Sequence, residues 1–130
     1  MLSILLDTQI ILWWINDDQK LRTSARLYIT EAERVFVSSI SFWEMIIKKQ
    51  LNKLDVPDNV RQLVSDRDFA TLPFKTDHAF VVNALPLLHR DPFDRALIAQ
   101  AVDEDFVLVT HDKIINSEYN SYVSLFDARS

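Results

Sequence analysis

Short runs of consecutive apolar residues, separated by segments with helical spacing, constrain this chain more than any other feature. The runs cover 3–6, 35–37, 70–72, 106–109 and 123–126, and the first ends directly on Asp7. A strand that is buried on both faces reads as continuous rather than alternating apolar residues, and such strands belong to parallel sheets covered by helices on either side. Between them, the spacing predicts helices over 9–15, 23–33, 41–49, 58–64, 77–85 and 93–103. Leu27 and Ile29 are expected to face inward from the second of these, and Phe42, Met45 and Ile46 to share one face of the third. Prolines stand singly at 57, 73, 86 and 92, between the periodic segments, with no linker, repeat or low-complexity stretch. The expected fold class is therefore α/β. One domain over 1–130 would form a three-layer sandwich around a central, mostly parallel sheet of four to five short strands.

Composition removes most catalytic chemistries. The chain has no glycine, where average usage would give about nine in this length. Without glycine there is no P-loop, no dinucleotide fingerprint and no G-x-S-x-G nucleophile elbow. Without cysteine there is no disulfide, thiolate zinc site, iron–sulfur cluster or cysteine nucleophile, which fits a reducing cytoplasm. What remains is 19 acidic residues and three histidines, the equipment of carboxylate or metal chemistry. The N-terminus has no basic segment, and the apolar run over 10–15 is far short of the ~20 residues needed to span a bilayer, so neither secretion nor a membrane anchor is expected. A net charge of −5 argues against a general nucleic-acid binder. It does not exclude a nuclease, for which the local arrangement of charge matters more than the total.

Ligands of open parallel sheets bind beyond the carboxyl ends of the strands. Asp7 closes the first strand, and Asp112 follows the fourth by three residues. Glu44 lies about one turn into the helix after the second strand, and Asp94 at the start of the helix that leads into the fourth. Each has an ordinary alternative. Ser41-x-x-Glu44 matches a capping box, Asp91-Pro92-Phe93-Asp94 matches a helix start, and Asp7 and Asp112 are each suited to cap the next helix. Together, four carboxylates directed at one sheet edge repel one another unless a cation neutralises them, and Mg²⁺ is typically held by carboxylates and waters.

Four blocks carry a resemblance to a known family. They are Leu5-Leu6-Asp7-Thr8 with Trp13; Val37-Ser38-Ser39 with Trp43-Glu44; Arg90-Asp91-Pro92-Phe93-Asp94-Arg95 with Leu97-Ile98-Ala99-Gln100-Ala101; and Leu108-Val109-Thr110-His111-Asp112. In this order and spacing, over 5–125, the chain resembles the PIN-domain family, and within it the VapC-type toxins of type II toxin–antitoxin pairs. The resemblance implies a PIN-like fold and a Mg²⁺- or Mn²⁺-dependent endoribonuclease. Asp7, Glu44, Asp94 and Asp112 would be its catalytic and metal-ligating acids, with Asp112 at the position that varies most in the family. It further implies an RNA substrate, a separately encoded antitoxin, a homodimer, and contact with DNA only through the antitoxin. Gln9 stands where many relatives carry His.

Metal-activated water attacking the phosphodiester makes no use of the ribose 2′-hydroxyl, so the products would carry 5′-phosphate and 3′-hydroxyl ends. Thr110 would either order a water near the metal or simply bond the strand-end backbone. Lys48, four residues after Glu44 and so on its helix face, is a candidate RNA contact together with Lys49, Lys53, Arg90 and Arg95, or else these are ordinary solvated charges. His78, on an apolar helix face, reads as structural. His89 and His111 adjoin the blocks and are placed to touch substrate, but they lack the spacing of a paired-histidine metal site. Trp13, Trp14 and Trp43 read as core or interface. A receiver domain would need adjacent acids after the first strand, and a haloacid-dehalogenase site would need Asp-x-Asp, whereas Asp7-Thr8-Gln9 supplies neither. A PIN domain retained only for binding is the remaining alternative, although all four acids are present.

Overall fold

In a computed structural model, which describes residues 2–130, the runs become five strands: β1 (Ser3–Leu6), β2 (Arg34–Ser38), β3 (Ala70–Leu72), β4 (Val107–Thr110) and β5 (Leu125–Asp127). Every pairing is parallel, in the order β3-β2-β1-β4-β5. The chain begins at the centre, builds outward through β2 and β3, then crosses to lay β4 on the other side of β1. That reversal puts a topological switch point between β1 and β4, where an open α/β sheet leaves a crevice at its carboxyl edge.

Among the described residues, seven helices connect the strands: α1 (Thr8–Ile15), α2 (Thr23–Glu31), α3 (Ser39–Gln50), α4 (Val60–Ser65), α5 (Thr76–Ala84), α6 (Pro92–Glu104) and α7 (Lys113–Glu118). Successive strand residues point to opposite faces, so the sheet feeds two cores. Ile4, Leu6, Val37 and Val109 pack with Ile10 and Ile11 of α1, Ala25 and Ile29 of α2, and Val64 of α4. Leu5, Phe36 and Leu108 pack on the other face with Leu97, Ile98 and Ala101 of α6 and Ile115 of α7. Three layers result. α3 stands at the edge between them, giving Ile40 to one core and Met45 to the other. Among the described residues, no helix is long and apolar enough to cross a membrane.

A chain without glycine must still leave its helices. Positive φ falls on Asp17, Asn52, Asp68 and Asp105, after α1, α3, α4 and α6 respectively. Asp and Asn are the non-glycine residues that tolerate the left-handed region best, because their short polar side chains bond the local backbone.

Three expectations need correction. Leu27 is 55% exposed, and α2 is anchored through Ala25 and Ile29, because residues two apart on a helix do not share a face. Ile46 is likewise 56% exposed while Met45 is fully buried. Ser41 and Glu44 do not form a capping box. α3 starts earlier, with Ser38 as its cap accepting from the Ile40 amide at 3.0 Å, so Ser41 and Glu44 lie inside the helix and are free for other partners.

Candidate metal centre at the carboxyl edge

The switch point brings the predicted acids together. Asp7 caps α1, accepting from the Thr8 amide at 2.6 Å through Oδ1, while Oδ2 accepts from the Thr110 hydroxyl at 2.6 Å. Thr110 in turn accepts from the Asp112 amide at 3.0 Å. One hydroxyl at the end of β4 thus ties the acid after β1 to the backbone of the acid after β4. Asp112 caps α7 through Oδ1, 2.9 Å from the Ile115 amide, leaving Oδ2 free of that bond. Asp94 enters on the first turn of α6, where Asp91 is the cap and Pro92 occupies the opening position. The ordinary capping roles of Asp7, Asp91 and Asp112 are real, and they serve to aim the remaining oxygens at one edge.

Glu44 projects from the second turn of α3 with 5% of its surface exposed. Its Oε1 accepts from the Thr8 hydroxyl at 2.6 Å, and that hydroxyl also lies 3.0 Å from Ser41 Oγ. Its Oε2 accepts from Lys48 Nζ at 2.5 Å. Lys48 is therefore engaged with an acid of the cluster, and Lys49 pairs with Asp58. Burial works to lower the Lys48 ammonium, but the bond and charge of Glu44, with Asp91 and Asp94 behind it, outweigh this and hold it above its usual value. Arg95 turns toward a small cavity with Leu87, Ile98 and Tyr119, where its buried Nε has no hydrogen-bond partner among the described residues.

Crowding of acids shows in their proton affinity. Burial pushes the Asp94 carboxyl up to about 9, and the charges of Asp7, Asp91, Asp112 and Glu44 push in the same direction. Burial also raises Asp7, to about 6, against the Thr110 hydrogen bond that favours its charged form. These are the signs of a site with more negative charge than its own residues can compensate.

His89, which adjoins the third block in sequence, lies at the site although it lacks the spacing of a paired-histidine metal site. Its Nε2 lies 2.9 Å from Asp94 Oδ2 and 3.6 Å from Asp112 Oδ2. These three residues offer ligand atoms all within 4.8 Å of one another, a grouping that includes neither Asp7 nor Glu44. Adjacency to the third block was legible, but its place between two acids was not, because His89 arrives on an irregular turn, 86–91, whose path is set by tertiary contacts. The carboxylate oxygens of the cluster suit Mg²⁺ or Mn²⁺. A second grouping, His78 with Asp103 and Glu104, is structural. His78 Nδ1 accepts from the Lys75 amide and Nε2 meets Glu104 Oε2, both at 2.9 Å, beside the buried Gln100 that bonds Ser38. His111 packs on Trp13 with ring centres 4.6 Å apart, and burial lowers its pKa. Trp14 packs on Phe69, and Trp43, 56% exposed, meets Phe93 edge-on. A cavity of about 650 Å³ between α3 and α4 is lined by Phe42, Ile46 and Val60 and contains none of the four acids.

Comparison with known proteins bears on this arrangement. The chain is 29% identical over 122 residues to "Ribonuclease VapC22" of Mycobacterium tuberculosis, covering 90% of this chain and 92% of that protein. Its fold matches that in "Crystal structure of VapBC2 from Rickettsia felis bound to a DNA fragment from their promoter", with a TM-score of 0.71, 16% identity and coverage of 97% and 98%. It also matches "Crystal structure of DNA bound VapBC from Salmonella typhimurium", with a TM-score of 0.66, 20% identity and coverage of 98% and 99%. The sequence model of the PIN domain matches residues 4–117, from inside β1 to the end of α7, and so takes in all four acids together with His89. With an acid after β1, an acid after β4, and two more on the helices between, the chain belongs to the PIN domain family.

Proposed function

We propose that this chain is a Mg²⁺- or Mn²⁺-dependent endoribonuclease, the toxin of a type II toxin–antitoxin pair. Asp7, Glu44, Asp94 and Asp112 are its catalytic and metal-binding acids. It works in the cytoplasm as a homodimer, is restrained by a separately encoded antitoxin, and meets DNA only through that partner. The observation that carries the reading is the burial of Asp7 and Asp94 among further carboxylates, with their carboxyl groups held up at about 6 and about 9. Such a cluster is costly unless a cation completes it. Similarity over nearly the full length to a ribonuclease, and in fold to complexes of toxin with antitoxin, supports the reaction and the partner.

A bound divalent cation supplies Lewis acidity toward a phosphodiester and a water of lowered pKa. The chain's own residues prepare the site for it. Thr8 and Thr110 fix the two oxygens of Asp7, each of which retains a lone pair. Lys48 and Thr8 fix Glu44 and lower the cost of burying its charge. With water activated by the cation as the attacking group, the ribose 2′-hydroxyl would not be used. RNA cut with Mn²⁺ present is expected to carry 5′-phosphate and 3′-hydroxyl ends, read by end-labelling with and without prior phosphatase. Products ending in 2′,3′-cyclic phosphate would contradict the mechanism.

A further inference from the structure

His89 has no role in the reading above, yet three contacts hold it in place. The hydroxyl of Tyr119, itself 1% exposed, accepts from the amides of Leu88 at 2.9 Å and His89 at 3.1 Å and donates to the Pro86 carbonyl at 2.9 Å. One buried phenol thereby pins residues 86, 88 and 89 of the turn that carries the imidazole. The ring is oriented next, since Nδ1 accepts from the Asp91 amide at 3.3 Å. A neutral imidazole whose Nδ1 accepts carries its proton on Nε2. That N–H is buried between Asp94 and Asp112 and forms an aligned hydrogen bond with neither.

A histidine that ligates a metal through one nitrogen usually donates its other N–H to an acceptor. Here the other nitrogen faces an amide donor, which is the wrong polarity for direct ligation. A buried N–H without an acceptor is costly where it stands, and the nearest oxygens belong to two acids on different helices. The Oδ1 atom of Asp112 is taken by its capping bond, so Oδ2 is the oxygen left to face His89 and Asp94.

We propose that His89 is a positioning residue whose Nε2–H, fixed by Tyr119 and Asp91 and lying 2.9 Å from Asp94 Oδ2 and 3.6 Å from Asp112 Oδ2, is the donor these carboxylates take up as they order around the divalent cation. Without it, two carboxylates on separate helices must be ordered by the cation alone, and affinity falls. The inference rests on the metal-dependent reading above, and the test separates the two.

The test is Mn²⁺ binding to the full chain, followed by the electron paramagnetic resonance signal of free Mn²⁺ and compared with circular dichroism of the same samples. His89→Ala is expected to weaken binding about tenfold or more, the usual range for loss of an outer-shell partner. His89→Gln, whose amide can still donate, is expected to recover most of that loss. Tyr119→Phe, which keeps the ring and removes the clamp, is expected to weaken binding in the same direction, and it decides the matter if the alanine variant does not fold. Wild-type affinity in folded His89→Ala, tighter binding in it, or a glutamine variant as weak as alanine would overturn the role of His89 and leave the metal site standing. Absence of Mn²⁺ binding by the wild-type chain would overturn both.

Discussion

Asp94→Asn is expected to reduce RNA cleavage by about a thousandfold or more and, at pH 8 without metal, to raise the melting temperature. On the proposed function, Asp94 would be a charged ligand of a cation that supplies several kcal/mol of transition-state stabilisation, at 1.36 kcal/mol for each factor of ten. The gain in stability follows from the carboxyl's surroundings. Asp94 is 8% exposed and pushed up to about 9, by burial first and then by four neighbouring acids. At pH 8 the unfolded chain carries an ionised, solvated Asp94. Folding must then either bury that charge or take up a proton, and both are unfavourable. Asparagine has nearly the same shape and neither cost. A gain of roughly 1–2 kcal/mol would shift the melting temperature by about 5 °C in a domain of this size. Thermal melts in EDTA beside cleavage of a labelled RNA give both readouts, and a variant that melts lower while still cutting would contradict the account.

Metal-free protein is also expected to lose stability as pH rises from 7 to 9, and saturating Mn²⁺ is expected to reverse the loss. The sign follows from proton uptake. Asp7 and Asp94, at about 6 and about 9 in the folded state, lie above the ordinary carboxyl value near 3.8. The folded chain therefore holds more protons than the unfolded chain between about pH 4 and 9, and stability falls with pH wherever that is so. The contribution is complete below about pH 4, declines as Asp7 ionises near 6, and is lost as Asp94 ionises near 9. Groups shifted the other way act elsewhere. Asp58 and Asp127, lowered by Lys49 and Arg129, change state below about pH 4, and His111 affects stability only below its ordinary value of 6.5. The interval from pH 7 to 9 thus isolates Asp94. A cation at a hundred times its dissociation constant adds about 2.7 kcal/mol to the folded state, enough to flatten the decline. Urea midpoints at pH 7, 8 and 9, with and without Mn²⁺, test this; a metal-free midpoint that rises with pH would contradict it.

Much of this architecture was legible because the residues that matter follow directly on strands. A run of Ile4, Leu5 and Leu6 buried on two faces can only be a central strand, and Asp7 must then stand at its carboxyl end. The same reasoning places Asp112 beyond β4, and parallel pairing of β1 with β4 brings both to one edge. Residues positioned by tertiary contact were not legible. Ser41 and Glu44 match a capping box, but Ser38 takes the cap because β2 passes straight into α3 with no intervening loop. Thr8 looks like an ordinary first helical residue, and only the packing of α1 beside α3 aims its hydroxyl at Glu44. His89 depends on Tyr119, thirty residues later, for its place. No local pattern links them.

The most direct test is cleavage of RNA by the purified chain, freed of any partner, with Mg²⁺ or Mn²⁺, beside EDTA and beside Asp7→Asn. Asp7 is the residue on which the arrangement converges: it ends β1, caps α1, and accepts from Thr110 at the tip of β4. The account predicts cutting that requires the metal and is lost in both controls, with Asp7→Asn still folded. Cutting that survives EDTA, or that persists in Asp7→Asn, would contradict it.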